Sequence, residues 1–306
     1  MSSGTVTTQG SHGGLAGAPP PEAVDPRTGA SVAYAAGHTL PLRVEVVRQL
    51  RRRRTQLALG FLVVLPFLLV LAFEAGNNSP GSGAPGLVDL ATVGAANFTL
   101  FTLFAATGFL LVVVVALFAG DTVAAEASWS SLRYLLAAPI PRARLLRQKL
   151  LVALGYGLFA IVLLTVVAYV AGLIFWGTAA ARSPLGTTLT TGTSLVRLLI
   201  VVGYLAIVML FVAALAFLLG VYTDAPLGAV GGAVVLVIVS NILDAVSALG
   251  NLREALPTHY QYAWTDALSP SVSWSAMTTG TLYSLGYSVV LLGLAWRHFL
   301  RKDVLS

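Results

Sequence analysis

The stretch GDTVAAEASWSSLRYLLAAPIPRARLLRQK, residues 120–149, decides the fold. It carries Asp121, Glu126, Arg133, Arg142, Arg144, Arg147 and Lys149, and long apolar runs flank it at 98–119 and 150–176. An ionised side chain at the bilayer centre costs about 2.5–3.5 kcal/mol, so this many cannot lie in hydrocarbon. The stretch is therefore a water-exposed link between two membrane spans. Its basic content assigns it to the cytoplasmic side.

The rest of the chain agrees with a membrane setting. Of its 306 residues, 57% are hydrophobic and 10% charged, against about 25% charged in soluble domains. Six apolar runs stand out, at about 56–73, 98–119, 150–176, 195–221, 227–249 and 282–296. A helical span needs ~20 residues, so the last run is short unless 279–281 join it, and the third is long. The expected fold is all-α and integral to the membrane, with six transmembrane helices.

Basic residues set the orientation. With the N-terminus inside, the inner segments hold Arg43, Arg48, Arg51 to Arg54, Arg133, Arg142, Arg144, Arg147, Lys149, Arg297, Arg301 and Lys302. The outer segments hold Arg182, Arg197 and Arg253. This asymmetry predicts that both termini are cytoplasmic, in a multi-pass protein of the cell (inner, cytoplasmic) membrane.

Residues 1–40 are rich in Gly, Ser, Ala and Pro and lack an apolar core, which predicts a disordered cytoplasmic tail ahead of a six-span unit, 41–306. Within 41–54, Leu42, Val46 and Leu50 fall on one helical stripe. The expected structure is an amphipathic helix in the plane of the inner leaflet, with Arg48, Arg51, Arg52, Arg53 and Arg54 meeting lipid phosphates. A span follows at once, which argues against nucleic acid as the partner of this basic run. On the outer side, 250–280 combines Tyr260, Tyr262, Trp264 and Trp274 with polar residues. It forms either short helices dipping into the outer leaflet or an interfacial loop with aromatic anchors.

Several chemistries are excluded. There is no cysteine, hence no disulfide, thiol catalysis or thiolate metal site. The four histidines show no metal-ligand spacing. No GxxxxGK[ST] or HExxH pattern occurs. No catalytic residue and no metal ligand is assigned, and the chain is not expected to be an enzyme.

The central link divides into two parts. Residues 121–137 contain neither Pro nor Gly; Trp129, Leu132, Leu135 and Leu136 fall on one side of a helix, with Arg133 elsewhere. Residues 137–141 (AAPIP) break that helix, and Pro141 suits the start of another that carries Arg142 to Lys149 into the third span. Glu126, SLRYLLAAPIPR (131–142) and RLLRQK (144–149), together with the tail LGLAWRHFLRKDV (292–304), resemble the type-2 ABC transporter permeases. The likeness is specific at 121–149 and 292–304 and covers 41–306 through the six-span layout. Ser130 and Ser131 stand where that family commonly has Gly-Thr, and Pro141 where it has Ser or Thr.

The resemblance implies a membrane subunit of an ATP-driven exporter that pairs with a second copy or a homologous permease. Two separate ABC ATPase subunits would bind the ATP and Mg; this chain would hold no cofactor. Glu126, Trp129, Leu132, Arg133, Pro139, Pro141 and Arg142 would form the coupling helix and its break. Helix 41–54 would be the in-plane elbow, and 250–280 the outer re-entrant region. Phe101, Phe104 and Thr107 on the second span, with Asn241 and Asp244 on the fifth, would line a path for a lipid or an amphipathic small molecule such as a drug or antibiotic. Asp244 has a plainer reading as a hydrated or arginine-paired carboxylate. Two other classes remain open, a secondary transporter and a non-transporting scaffold or assembly subunit. The near absence of intramembrane charge for ion coupling argues against the first of these.

Overall fold

A computed structural model describes residues 42–76, 87–128, 142–183, 188–223 and 225–301. Nine α-helices are among them: α1 (Leu42–Leu50), α2 (Arg53–Ala75), α3 (Leu87–Leu90), α4 (Ala95–Thr107), α5 (Leu110–Ser128), α6 (Arg142–Trp176), α7 (Thr191–Tyr222), α8 (Pro226–Ala245) and α9 (Ser275–Arg301). Short 3-10 helices at Ser247–Ala255, kinked at Gly250, and Ala263–Leu268 link α8 to α9.

Five of these helices, α2, α6, α7, α8 and α9, are long and apolar enough to cross a membrane, and the bent pair α4–α5 makes a sixth. The N-terminus of α4 lies against the C-terminal end of α6, where the Ala95 N–H donates to the Gly177 carbonyl at 3.1 Å. The distal part of α5 meets the start of α2 through Asp121 and Arg52. The pair therefore runs from one end of the bundle to the other. The expected six-span, all-α architecture is what the chain adopts.

Helix α7 is the centre. It packs against α9, α5, α8 and α6, and 61% of its apolar window is buried, against 22% for α2, α8 and α9. Helices α5 and α7 cross closely. A Cβ placed on Gly220 would stand 2.5 Å from the Gly120 carbonyl oxygen, so the two backbones touch where no side chain fits. Small residues at helix crossings bring backbones together in this way within membranes, where apolar burial alone gives little drive for association.

Several expected boundaries are corrected. The run 98–119 is not one straight helix: α4 and α5 are bent by 59° at Gly108 and Phe109. Thr107 donates its hydroxyl to the Leu103 carbonyl one turn back at 2.6 Å, a bond that competes with the helical ladder. A Cβ on Gly108 would lie 2.6 Å from the Tyr262 hydroxyl oxygen, so the segment linking α8 to α9 wedges against the bend. The segment from Asp121 is not a separate surface helix up to Ser128; it continues α5. The elbow stops at Leu50, and Arg53 already belongs to the first span. The sixth span is 27 residues rather than a short run, because Ser, Thr, Gly and Arg near its ends hide it from a hydropathy reading. The plain-looking loop after α6 holds a two-strand hairpin, Ala181–Arg182 against Thr188–Leu189. Buried Asn97 seats it, donating to the Arg182 carbonyl at 2.7 Å and accepting from the Arg182 N–H at 2.9 Å.

Pro141 sits just before α6, and the helix carries Arg144, Arg147 and Lys149 directly into the third span. At ~1.5 Å per residue its 35 residues span about 52 Å, longer than a ~30 Å hydrocarbon core, so one end stands outside the apolar layer.

Candidate functional site

Two ion-pair clamps flank the polar link. The first is built on Asp121, 4% exposed, in the distal half of α5. Its carboxylate accepts from Arg52 at 2.7 Å and from Arg54 at 3.1 Å. Arg52 occupies the short break between α1 and α2, so this carboxylate fixes the entry of the first span against the exit of the second. A buried carboxylate is tolerated where two guanidiniums offset its lost hydration.

The second clamp joins α1 to α6. Lys149 donates to Glu45 at 3.2 Å, with both side chains buried, and Arg48 approaches the same carboxylate at 3.7 Å. The Tyr156 hydroxyl, two turns further along α6, donates to the Val46 carbonyl at 2.7 Å. Together the clamps hold the two helices from which residues 129–141 hang, α5 and α6, against the short segment 45–54.

The arginines of the elbow thus divide. Arg52 and Arg54 pair with Asp121, Arg52 largely covered and Arg54 with 54% of its side chain exposed. Arg48 leans on Glu45, while Arg51 and Arg53 are exposed. Of the expected coupling residues, Trp129, Leu132, Arg133, Pro139 and Pro141 lie outside the described residues. Glu126 lies in the last turns of α5 and Arg142 opens α6.

The opposite end of the bundle is a closed polar cap. Arg197, at the start of α7, is buried and donates to three carbonyls of the segment linking α8 to α9: Ala267, Ser269 at 2.7 Å and Pro270 at 3.2 Å. The Tyr204 hydroxyl donates to the Tyr260 carbonyl at 2.6 Å, and Ser240 and Thr258 share a hydrogen bond of 2.7 Å. The segment 250–280 is short-helical; Trp264 is fully buried in it, while Trp274 is exposed. Burial raises the Tyr262 hydroxyl above the ordinary tyrosine range.

The expected path residues are not brought together. Phe101 stacks edge-on against Phe73, with centroids 5.2 Å apart. Phe104 is partly exposed and packs on Tyr262 at 5.0 Å and Trp264 at 6.5 Å. Thr107 is fully buried, its hydroxyl committed to its own helix. Asn241 and Asp244 lie on α8, which packs against α5 and α7 rather than against α4. The Asp244 carboxylate is paired, but with His259 Nδ1 at 2.5 Å; Arg253 reaches its main-chain carbonyl instead, at 3.1 Å. Sequence reasoning missed Tyr262 and Trp264 as partners of Phe104. It also missed Asp121 and Glu45 as the carboxylates that organise the basic end. Among the described residues no group of three or more His, Asp or Glu could hold a metal ion.

Residues 68–305 match the family described as "Protein of unknown function (DUF2705)". That span is most of the chain, and the chain belongs to this family. Among curated proteins none matches it.

Proposed function

We propose that this DUF2705 member is the membrane subunit of an ATP-driven exporter, worked by a separate ABC ATPase through residues 121–142. The observation that supports this best is the pair of buried clamps at Asp121 and Lys149. A surface link that merely joined two spans would have no need of ion pairs fixing both of its flanking helices to the elbow. A link that receives a push needs them, since otherwise the motion is lost in local bending. Nucleotide binding in the partner would bias two arrangements of the bundle, with the clamped end moving as a unit. In this reading both termini and the link face the cytoplasm, two ATPases bind ATP and Mg there, and a second copy or a related permease completes the path. The resemblance at 121–149 and 292–304 supports the same assignment.

The test is co-purification. Tagged chain should retain an ATPase encoded beside its gene, and Glu126→Lys or Arg133→Glu should lose that partner at unchanged expression. Retention by both variants would refute coupling through this link.

The cargo is proposed to be a lipid or an amphipathic small molecule, because the mid-bundle surface offers aromatic and apolar groups and almost no charge. Phe104, with Tyr262 and Trp264 behind it, is the residue of choice for contact. Phe104→Ala should reduce efflux of a lipophilic dye from cells by severalfold, with ATPase association intact; ring contacts are worth ~0.5–1.5 kcal/mol beyond area burial. Unchanged efflux would remove Phe104 from the path.

A further inference from the structure

A groove of about 650 Å³ opens between α1 and the early turns of α6. Its walls are two matched stripes at four-residue spacing, Leu42, Val46 and Leu50 on α1 against Leu151, Gly155 and Phe159 on α6. The stripes do not close on each other: Val46 is 42% exposed, Leu151 50% and Phe159 49%. The Tyr156–Val46 and Lys149–Glu45 bonds hold α1 at this distance, so the groove has a fixed depth rather than a collapsible one. Its volume is in the range of ordinary ligand pockets. From residue 151 to 159 the wall runs about 12 Å along α6 at ~1.5 Å per residue.

What can occupy it is limited by its surroundings. One wall belongs to a helix long and apolar enough to span a membrane, so the groove opens toward lipid. Its other wall, on α1, is followed in sequence by the basic run 51–54. Arg51 follows the lining residue Leu50, and Arg53 stands two positions on; both are exposed, and neither side chain pairs with another described residue. Basic clusters on an amphipathic helix at a membrane surface attract anionic headgroups.

We propose that this groove binds one anionic phospholipid, with an acyl chain lying between the two apolar stripes and its phosphate held by Arg51 and Arg53. The lipid completes the packing of α1 against the third span, which the side chains alone leave open. The site goes beyond the exporter reading and does not depend on it, since it requires no ATPase.

The experiment uses the full chain in mild detergent, titrated with phosphatidylglycerol or phosphatidylcholine and read by native mass spectrometry. One phosphatidylglycerol should be retained per chain, about tenfold more tightly than phosphatidylcholine. Gly155→Leu fills the groove, and a Cβ there meets nothing within 4 Å, so the backbone is not forced to move. It should weaken phosphatidylglycerol binding by about tenfold or more while leaving the lipid-free melting temperature unchanged. Leu151→Trp fills the groove from the same wall and serves if the first variant does not fold. The pair Arg51→Gln, Arg53→Gln should bind both lipids equally. Equal retention of phosphatidylglycerol by wild type and a folded groove-filling variant would overturn the groove. Equal retention of both lipids by wild type would overturn the anionic assignment.

Discussion

Gly220→Leu is expected to abolish recovery of folded protein from membranes. A Cβ at this position would lie 2.5 Å from the Gly120 carbonyl oxygen and 3.3 Å from its carbonyl carbon. Both are main-chain atoms, so no rotamer change relieves the overlap. Overpacking a core commonly costs about 1–3 kcal/mol when side chains can shift; here α5 and α7 must part along their whole crossing. Because α7 is the hub on which α5, α8 and α9 pack, the separation spreads to the rest of the bundle. Gly220→Ala already introduces the clash and should lower the thermal midpoint by several degrees, as expected for about 1–2 kcal/mol in a protein this size. Gly203→Ala is the control: it lies on the same helix, nothing lies within 4 Å of its Cβ position, and it should be neutral or mildly stabilising. Detergent-solubilised protein followed by size-exclusion chromatography and thermal unfolding reads all three. A wild-type profile for Gly220→Leu would mean that the crossing is wider than described.

Lys149→Met is the second substitution with a large expected effect. It leaves the Glu45 carboxylate buried, with Arg48 at 3.7 Å as its remaining cation among the described residues. Removing one partner of a buried pair typically costs about 3–5 kcal/mol, because the remaining charge has lost both water and counter-ion. Replacing both, as Glu45→Leu with Lys149→Met, removes the uncompensated charge and should regain most of the loss. The double-mutant cycle isolates the pair from the rest of α1. Thermal unfolding should rank wild type and double variant together, with Lys149→Met well below. If Lys149→Met matched wild type, the clamp would contribute no rigidity and the proposed transmission through it would fail.

How much of this was legible in the sequence depends on distance along the chain. The spans were visible because each is a local excess of apolar residues. Their ends were not, since Ser275 to Thr281 are polar in composition yet helical in place. The bend in the second span had no local mark beyond one Thr-Gly pair. Its other cause, Tyr262, comes from a distant loop. The same holds for the basic end. The run Arg51 to Arg54 announces positive charge, but its capture by Asp121 joins residues 67 and 69 apart, and Lys149 meets Glu45 across 104. Charge pattern sorts such residues to a face of the membrane; it does not say which of them pair. The aromatic content of 250–280 was equally plain, while its inward packing depends on Phe104 and Arg197, residues of other spans.

The Asp121 clamp also sets an order of events in time. Arg54 leaves the ribosome 67 residues before its carboxylate partner. At ~5–20 residues per second that is an interval of about 3–13 s. Throughout it Arg52 and Arg54 lack the carboxylate that later binds them, and Glu45 is the one acidic residue in the helix just ahead of the run. Only when the second span arrives is part of the run's positive charge withdrawn into a bond. Two arginines of the run, Arg52 and Arg54, therefore gain their partner only after the first span has been made, whereas an acidic residue placed close behind them could pair at once.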